Sequence, residues 1–462
     1  MKAPNTHVTA DAEVLNNSKK TITHNHKSAT QKVVNINVTN ALNANTPPYP
    51  VAKFSLVISD KPNLTKHYDL VDGNAVKTAA GKLSLGTAMT FTKPLDLMID
   101  TITQQATAHH ALIHGVSGYD KIGIVTKGNE TENAISRSRE HFSYGDNALL
   151  MFDHDPSERG KHYTFESCTD FLEMLAECYP DIADAAFVVK PSSSAGIALN
   201  GKLVAKQGGF HAYTVAKDGN DISRFANILF KRLIIKGYGH AFISKNGSVF
   251  VRTIFDNAIY RPEGLDYIAP AIVGEGLTIN QPPPQKFEGG YLDTSLMPDL
   301  TEAEEALYIA EHDRLRDAAV EDAKAVRNAY LKQRSLRTGV PVEILAKQYD
   351  QGEQGAIDYA MPLTKNNGTQ FSFQEVIANP SEYHDLSMRD PFEPEYGEDK
   401  AKLYINDDGR INVHSYCHGK HTYKLYKDGS PFHYDNGTHI KYVLPMQLIA
   451  KVPWSSHNRP LT

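Results

Sequence analysis

The chain has 462 residues and a net charge of −6, with 48 Lys and Arg against 54 Asp and Glu. That balance is not the signature of a nucleic-acid coat protein, although a local basic surface is enough for binding. With 41 % hydrophobic and 22 % charged residues, the composition is that of an ordinary globular protein with room for two or three domains. No apolar run approaches the ~20 residues of a membrane span and the N-terminus carries no apolar signal core. Three cysteines, Cys168, Cys178 and Cys417, make no disulfide framework, so the expected location is cytoplasmic.

Residues 1–50 are rich in Asn, Thr, Ala and Lys and end in Pro47-Pro48-Tyr49-Pro50, which reads as a flexible polar leader. From Val51 to about residue 300 the pattern is mixed α/β. Phe54 to Ile58 is a predicted strand and Leu95 to about His114 a predicted helix. Asp146 to Asp155 is a strand with apolar residues on both faces, hence central and buried. A helix follows, with Ser167 and Asp170 as a capping box and Phe171, Leu172, Leu175 and Cys178 as its inward stripe. Phe187 to Lys190 is the next strand, and another begins at Gly208-Gly209-Phe210-His211. Asp221 to Lys236 is an amphipathic helix closed by Gly237. A hairpin spans His240 to Asp256, turning at Asn246-Gly247. Thr301 to about Arg337 is helix-forming and laced with charge, with Thr301 and Glu304 as a second capping box. Its weak apolar stripe marks 301–340 as a connector, and 341–462 as a Tyr- and His-rich C-terminal module.

The chemistry concentrates at strand ends. Leu149-Leu150-Met151-Phe152-Asp153-His154-Asp155 closes in two aspartates which, by strand alternation, share a face. Paired carboxylates repel unless a cation lies between them, and oxygen ligands of this kind suit Mg²⁺ or Mn²⁺ in a two-metal site. The second hairpin strand ends Arg252-Thr253-Ile254-Phe255-Asp256. By the same parity it supplies a third carboxylate with an arginine beside it. His211, just after two glycines, can donate to a phosphate oxygen. Ser192, Ser193 and Ser194 offer hydroxyl and backbone donors, and Lys206 offers charge.

In this order, Phe152-Asp153-His154-Asp155, then Pro191-Ser192-Ser193-Ser194-Ala195-Gly196 with Gly209-Phe210-His211, then Phe255-Asp256, the chain resembles the archaeo-eukaryotic primase superfamily. That superfamily carries an hhhDhD strand, an s-x-H strand and an hD strand. The match is closest to primase-polymerases of phages, plasmids and integrated mobile elements. There, stretches like Ile243 to Ser248, Arg252-Thr253, Arg261-Pro262-Glu263-Gly264-Leu265-Asp266 and Asp390 to Gly397 also recur. The resemblance covers 51–300 well and 340–425 more weakly. It implies an α+β catalytic core with an RRM-like antiparallel sheet and DNA-templated nucleotidyl transfer. By motif match Asp153, Asp155 and Asp256 become metal ligands, His211 a contact to the incoming nucleotide's phosphates, and Ser194, Lys206, Lys245 and Arg252 nucleotide or template contacts. Here Ser194 and His211 stand further apart than the family's serine and histidine.

The implied partners are a single-stranded DNA template and NTPs or dNTPs. Arg137, Arg139, Lys231, Arg232 and Tyr213 are candidates to line the strand path. No G-x-x-x-x-G-K-[ST] occurs, so unwinding would need a separate helicase. His414, Cys417, His418 and His421 are zinc-ligand types. Without a C-x-x-C partner, and packed into one short stretch, they read as a strand and turn in preference to a zinc site. Two other readings stay open. One is a non-catalytic replication initiator or helicase-recruiting DNA-binding protein on the same fold. The other is a metal-dependent nuclease.

Overall fold

The computed structural model describes residues 49–441 apart from 80, 157–164, 166, 205–208, 354, 407–409, 418–420, 428–429 and 436–437. The predicted leader therefore lies outside the described residues, save its last two. The chain divides into residues 1–46 and 47–462, and everything below concerns the second unit. It is a mixed α+β structure with several sheets and, among the described residues, eight α-helices. None of these helices is long and apolar enough to cross a membrane.

The central sheet has ten strands: β1 (Val51–Ser59), β2 (Gly86–Pro94), β3 (His110–Ile113), β4 (Lys121–Val125), β5 (Ala134–Ser136), β6 (Asp146–His154), β7 (Phe187–Pro191), β8 (Phe210–Asp218), β9 (Leu265–Asp266) and β10 (Gln285–Phe287). Its order is β10-β7-β8-β6-β1-β2-β4-β5, with β3 on β1 and β9 on β3. β2 takes one edge of β1 along its whole length. The other edge is shared: β6 holds it only at Lys53, whereas β3 holds Ser55 to Ile58. The sheet therefore divides at β1, and the C-terminal half of β6 runs on with β8 as its ladder partner.

Helices cover both faces. Leu150, Phe152, Val189 and Ala212 pack against α2 (Cys168–Ala176) and α3 (Ile222–Leu233). Leu149, Met151, Val188, Tyr213 and Val215 pack against α1 (Leu95–Gln105) through Leu95, Met98, Ile99 and Ile102. Coverage on both sides is why β6 reads as an unbroken apolar run. Ser167 and Asp170 form the expected capping box, but α2 ends before Cys178, which is only half-buried beyond it. Gly237 closes the amphipathic helix region at φ +89°. The helix expected to reach His114 stops at Gln105. Its second half is β3, because Leu112 and Ile113 complete the open edge of β1.

The charged region is two helices, α4 (Glu302–Ala318), capped by Thr301 and Glu304, and α5 (Val320–Thr338). α4 buries no residue. Ion pairs tie its first turn to α3: Lys231 Nζ meets the Glu305 carboxylate at 2.7 Å, and Arg232 Nε meets Glu304 at 3.5 Å. Both cations, expected on a DNA path, are occupied in this staple.

The C-terminal part has its own core, which includes Leu363, Phe373, Val376, Met388, Leu403 and Val413. Arg334 on α5 reaches into it, with its guanidinium on the Phe392 carbonyl and 2.7 Å from Glu395. The Asp390 to Gly397 stretch is thus a latch. Asp390 Oδ1 accepts the amides of Phe392 and Glu393, and Ser415 Oγ donates to its Oδ2. His414 lies on a strand (Ile411–Ser415), with Nδ1 2.8 Å from Thr422 Oγ1, and Cys417 is buried. His418 lies outside the described residues, as does the side chain of His421.

Candidate active site at the end of the central strand

β6 pairs with β8, and β8 with β7, so that Asp153, His211 and Lys190 fall in one cross-strand row. Directly paired residues share a face. The row therefore lies on the α1 side, just past Met151 and Tyr213, where the apolar layer stops. His211 Nε2 is 3.6 Å from Asp153 Oδ1. Phe152, one residue earlier, points the opposite way into the α2–α3 core.

β6 ends at His154, so Asp155 lies just beyond the strand and is exposed. The strand expected to carry Arg252 and Asp256 on one face does not reach Asp256. The hairpin strand (Val249–Arg252) stops at Arg252, and the chain then turns onto the end of β6. Two bonds fix that turn: the Asp256 amide donates to the Asp153 carbonyl at 3.0 Å, and His154 Nδ1 donates to the Ile254 carbonyl at 2.7 Å. Inside, the Phe152 and Phe255 rings meet edge to face at 5.3 Å. The two Phe-Asp dipeptides are clasped, with the rings in the core, Asp153 half-buried and Asp256 exposed.

Burial pushes the Asp153 carboxyl up. His211 opposes this, and Asp155, Asp256 and Asp266 push in the same direction as burial. A divalent cation between these groups would reverse the repulsion, and an all-carboxylate donor set suits Mg²⁺ or Mn²⁺. Among the described residues no three His, Cys, Asp or Glu side chains already form a group that could hold an ion. Asp256 Oδ1 currently accepts the Ala258 amide at 2.9 Å.

The serine loop is brought close. Ser192, Ser193 and Ser194 are buried in the turn after β7, and the Ser192 amide donates to the Gly209 carbonyl at 2.9 Å. The long separation of Ser194 from His211 is a local excursion that includes the hairpin strands Ile197–Leu199 and Lys202–Leu203 and returns to the same place. Lys206 lies outside the described residues. Lys245 is exposed at the hairpin tip, which packs against α5: a Cβ on Gly247 would lie 2.6 Å from Arg327 Cβ. The Arg252 guanidinium lies over the Phe242 ring at 4.1 Å. Arg137 donates to the Glu263 carbonyl, and Arg139 Nε lies 3.4 Å from the Glu263 carboxylate.

Three residues of the site, Asp266, Lys190 and His114, escaped the sequence reading of roles, and a fourth, Tyr213, has a different one from that expected. Asp266, on β9, is buried with its Oδ1 3.0 Å from His211 Nδ1, and Tyr213 donates its hydroxyl to Oδ2. Tyr213 is therefore a core residue, not a DNA contact. Burial alone would raise the Asp266 carboxyl. His211, by charge and hydrogen bond, then Lys190 and His114, outweigh it and hold the carboxyl well below the usual range. Burial lowers both Lys190 and His114. The available signals were Lys190 closing an apolar strand and Asp266 closing Gly264-Leu265-Asp266. Neither showed which strand it would face.

Comparison with protein-family models, with curated proteins and with solved structures found no match.

Proposed function

We propose that the chain is a DNA-templated nucleotidyltransferase, a primase or primase-polymerase of the archaeo-eukaryotic type serving a mobile element. The observation that carries this reading is the docking of Phe255-Asp256 onto Phe152-Asp153 with His211 in the adjoining row. It gathers the residues of three separate motifs at one strand end. Asp153, Asp155 and Asp256 would hold Mg²⁺ or Mn²⁺, which when bound supplies Lewis-acid charge to the phosphoryl oxygens and the attacking hydroxyl. His211 turns Nε2 to the Asp153 side, where it can donate to a phosphate oxygen of the incoming nucleotide. The serine loop beside Gly209 adds hydroxyl and amide donors at the same end of the sheet. The template is single-stranded DNA, and a separate helicase opens the duplex.

The test is primer synthesis and extension on single-stranded DNA with labelled NTPs and dNTPs, in Mg²⁺ and in Mn²⁺. The expected result is product from wild type and a loss of about a thousandfold or more in Asp153→Ala/Asp155→Ala and in Asp256→Ala. Such a loss corresponds to ~4 kcal/mol of transition-state stabilisation. No product from wild type, or product undiminished in both variants, overturns the reading. DNA binding without synthesis would instead favour the initiator, and metal-dependent cleavage without nucleotide binding the nuclease.

A further inference from the structure

His211 is held from behind. Its Nδ1 faces Asp266 Oδ1 at 3.0 Å and the Tyr213 hydroxyl at 3.2 Å, and its Nε2 faces Asp153 Oδ1 at 3.6 Å. The side chain of Asp266 is 1 % exposed, so it cannot itself meet a substrate. Both its oxygens are committed, one to His211 and the other to Tyr213. Asp266 sits on β9, opposite Leu112 of β3. β3 takes the edge of β1 that β6 leaves, so the division of the sheet is what aims Asp266 at the β6–β8 row. A carboxylate behind an imidazole fixes the tautomer and ring orientation, and so determines which nitrogen faces outward.

We propose that Asp266 is a positioning residue that locks the His211 ring with Nδ1 inward, so that Nε2 is presented to the phosphates of the incoming nucleotide, with Tyr213 holding Asp266 in place. The proposal rests on the nucleotidyltransferase reading for its substrate and goes beyond it in assigning a buried residue on a fourth segment to the site. Lys190 supplies positive charge beside the buried carboxylate, but the hydrogen-bond geometry alone selects the ring orientation.

The experiment is a double-substitution cycle on the full chain, read by equilibrium binding of labelled ATP and dATP with Mg²⁺ and no template, so that nothing turns over. It is paired with ¹⁵N spectra of the histidine side chains without nucleotide. His211→Ala should weaken nucleotide binding about tenfold or more, as for loss of a hydrogen bond to a charged group. Asp266→Asn should weaken it about tenfold. In the His211→Ala background, Asp266→Asn should change binding by less than about twofold, because a residue acting only through His211 has nothing left to act on. The His211 Nδ1 resonance, assigned by its absence in His211→Ala, should shift in Asp266→Asn. Tyr213→Phe should show the same pattern at about threefold, and it carries the cycle if Asp266→Asn does not fold.

Additive losses, or an unshifted His211 resonance, overturn the positioning role. A wild type that binds neither nucleotide, or a His211→Ala that binds as wild type, overturns the nucleotide-site reading and this proposal with it. The resonance shift still reports separately whether Asp266 orients the ring.

Discussion

The clasp between Phe152 and Phe255 makes a quantitative claim: the same contact that stabilises the fold also sets the distance between two of the three aspartates. Phe152 is fully buried and Phe255 is 3 % exposed. Their rings stand edge to face at 5.3 Å and 73°. Phe152 also touches Phe171 and Phe187, and Phe255 also touches Phe230 and Tyr260. Each Phe→Leu change keeps most of the apolar volume and should cost about 1–1.5 kcal/mol. The pair itself should carry about 0.5–1.5 kcal/mol beyond burial. The double variant should therefore lose less than the sum of the singles by that amount. Urea unfolding followed by circular dichroism reads this as midpoint shifts at constant slope. In the primer assay either single should lose about ten- to a hundredfold in rate, since displacements near 1 Å in a reacting constellation cost that much. Additivity within ~0.3 kcal/mol would mean the rings do not couple. Destabilised singles with full activity would mean that the backbone bond from Asp256 to Asp153, not the rings, sets the spacing.

Three more outcomes follow from other contacts. Arg334→Met should cost up to about 3 kcal/mol by unlatching α5 from the C-terminal core, and its deficit should shrink in acid. Burial raises the Glu395 carboxyl, but the hydrogen bond and charge of Arg334 win and hold it below its unfolded value near ~4.3. The stability this pair adds is therefore full above that value and lost as pH falls through the folded one. A deficit that stays constant down to pH 3 would refute the pairing. Burial, with Asp390 and Glu393 nearby, pushes the Cys417 thiol up to about 12. At pH 8 its thiolate fraction is then about 10⁻⁴, against roughly a quarter for a free thiol. In a Cys168→Ser/Cys178→Ser background, which removes the two half-buried thiols, Ellman's reagent should label it only on unfolding, and rapid labelling of that native variant would contradict its burial. Gly247→Ala puts a Cβ 2.6 Å from Arg327 Cβ at a φ of +89°. It should cost about 1–3 kcal/mol and expose the hairpin tip to limited proteolysis, whereas an unchanged digest would show the tip is not held by α5.

What could be read in advance was local. The capping boxes at Ser167 and Thr301, the amphipathic α3, the Asn246-Gly247 turn and the buried β6 each follow from a few neighbouring residues, and the structure has them all. The errors arose where a distant partner decides. Alanine, histidine and leucine after Gln105 suit a helix until β1 offers an open edge. Residues 253–256 continue a strand pattern until the end of β6 offers a carbonyl to the Asp256 amide. Lys231 and Arg232 look like a basic face until Glu304 and Glu305, in the first turn of α4, arrive beside them. In the first two cases tertiary hydrogen bonds outweighed a propensity worth only tenths of a kcal/mol, and in the third ion pairs occupy the cations.

The site itself shows why motif residues were legible and their support was not. Asp153 interrupts an apolar strand, and the interruption is visible because alternation predicts another apolar side chain at that position on the α1 face. His211 is singled out by the glycines before it. Asp266 carries no such contrast: it ends a two-residue strand, and its meaning comes from the division of the sheet at β1, which depends on three pairings between segments far apart in the chain. A carboxylate of this kind costs free energy to bury, and only the convergence of Tyr213, His211, Lys190 and His114 offsets that cost. The burial of a charged group where an apolar one would fit is therefore itself the sign of its role. It is expensive for the fold, and what it adds beyond stability is a fixed direction for the His211 ring.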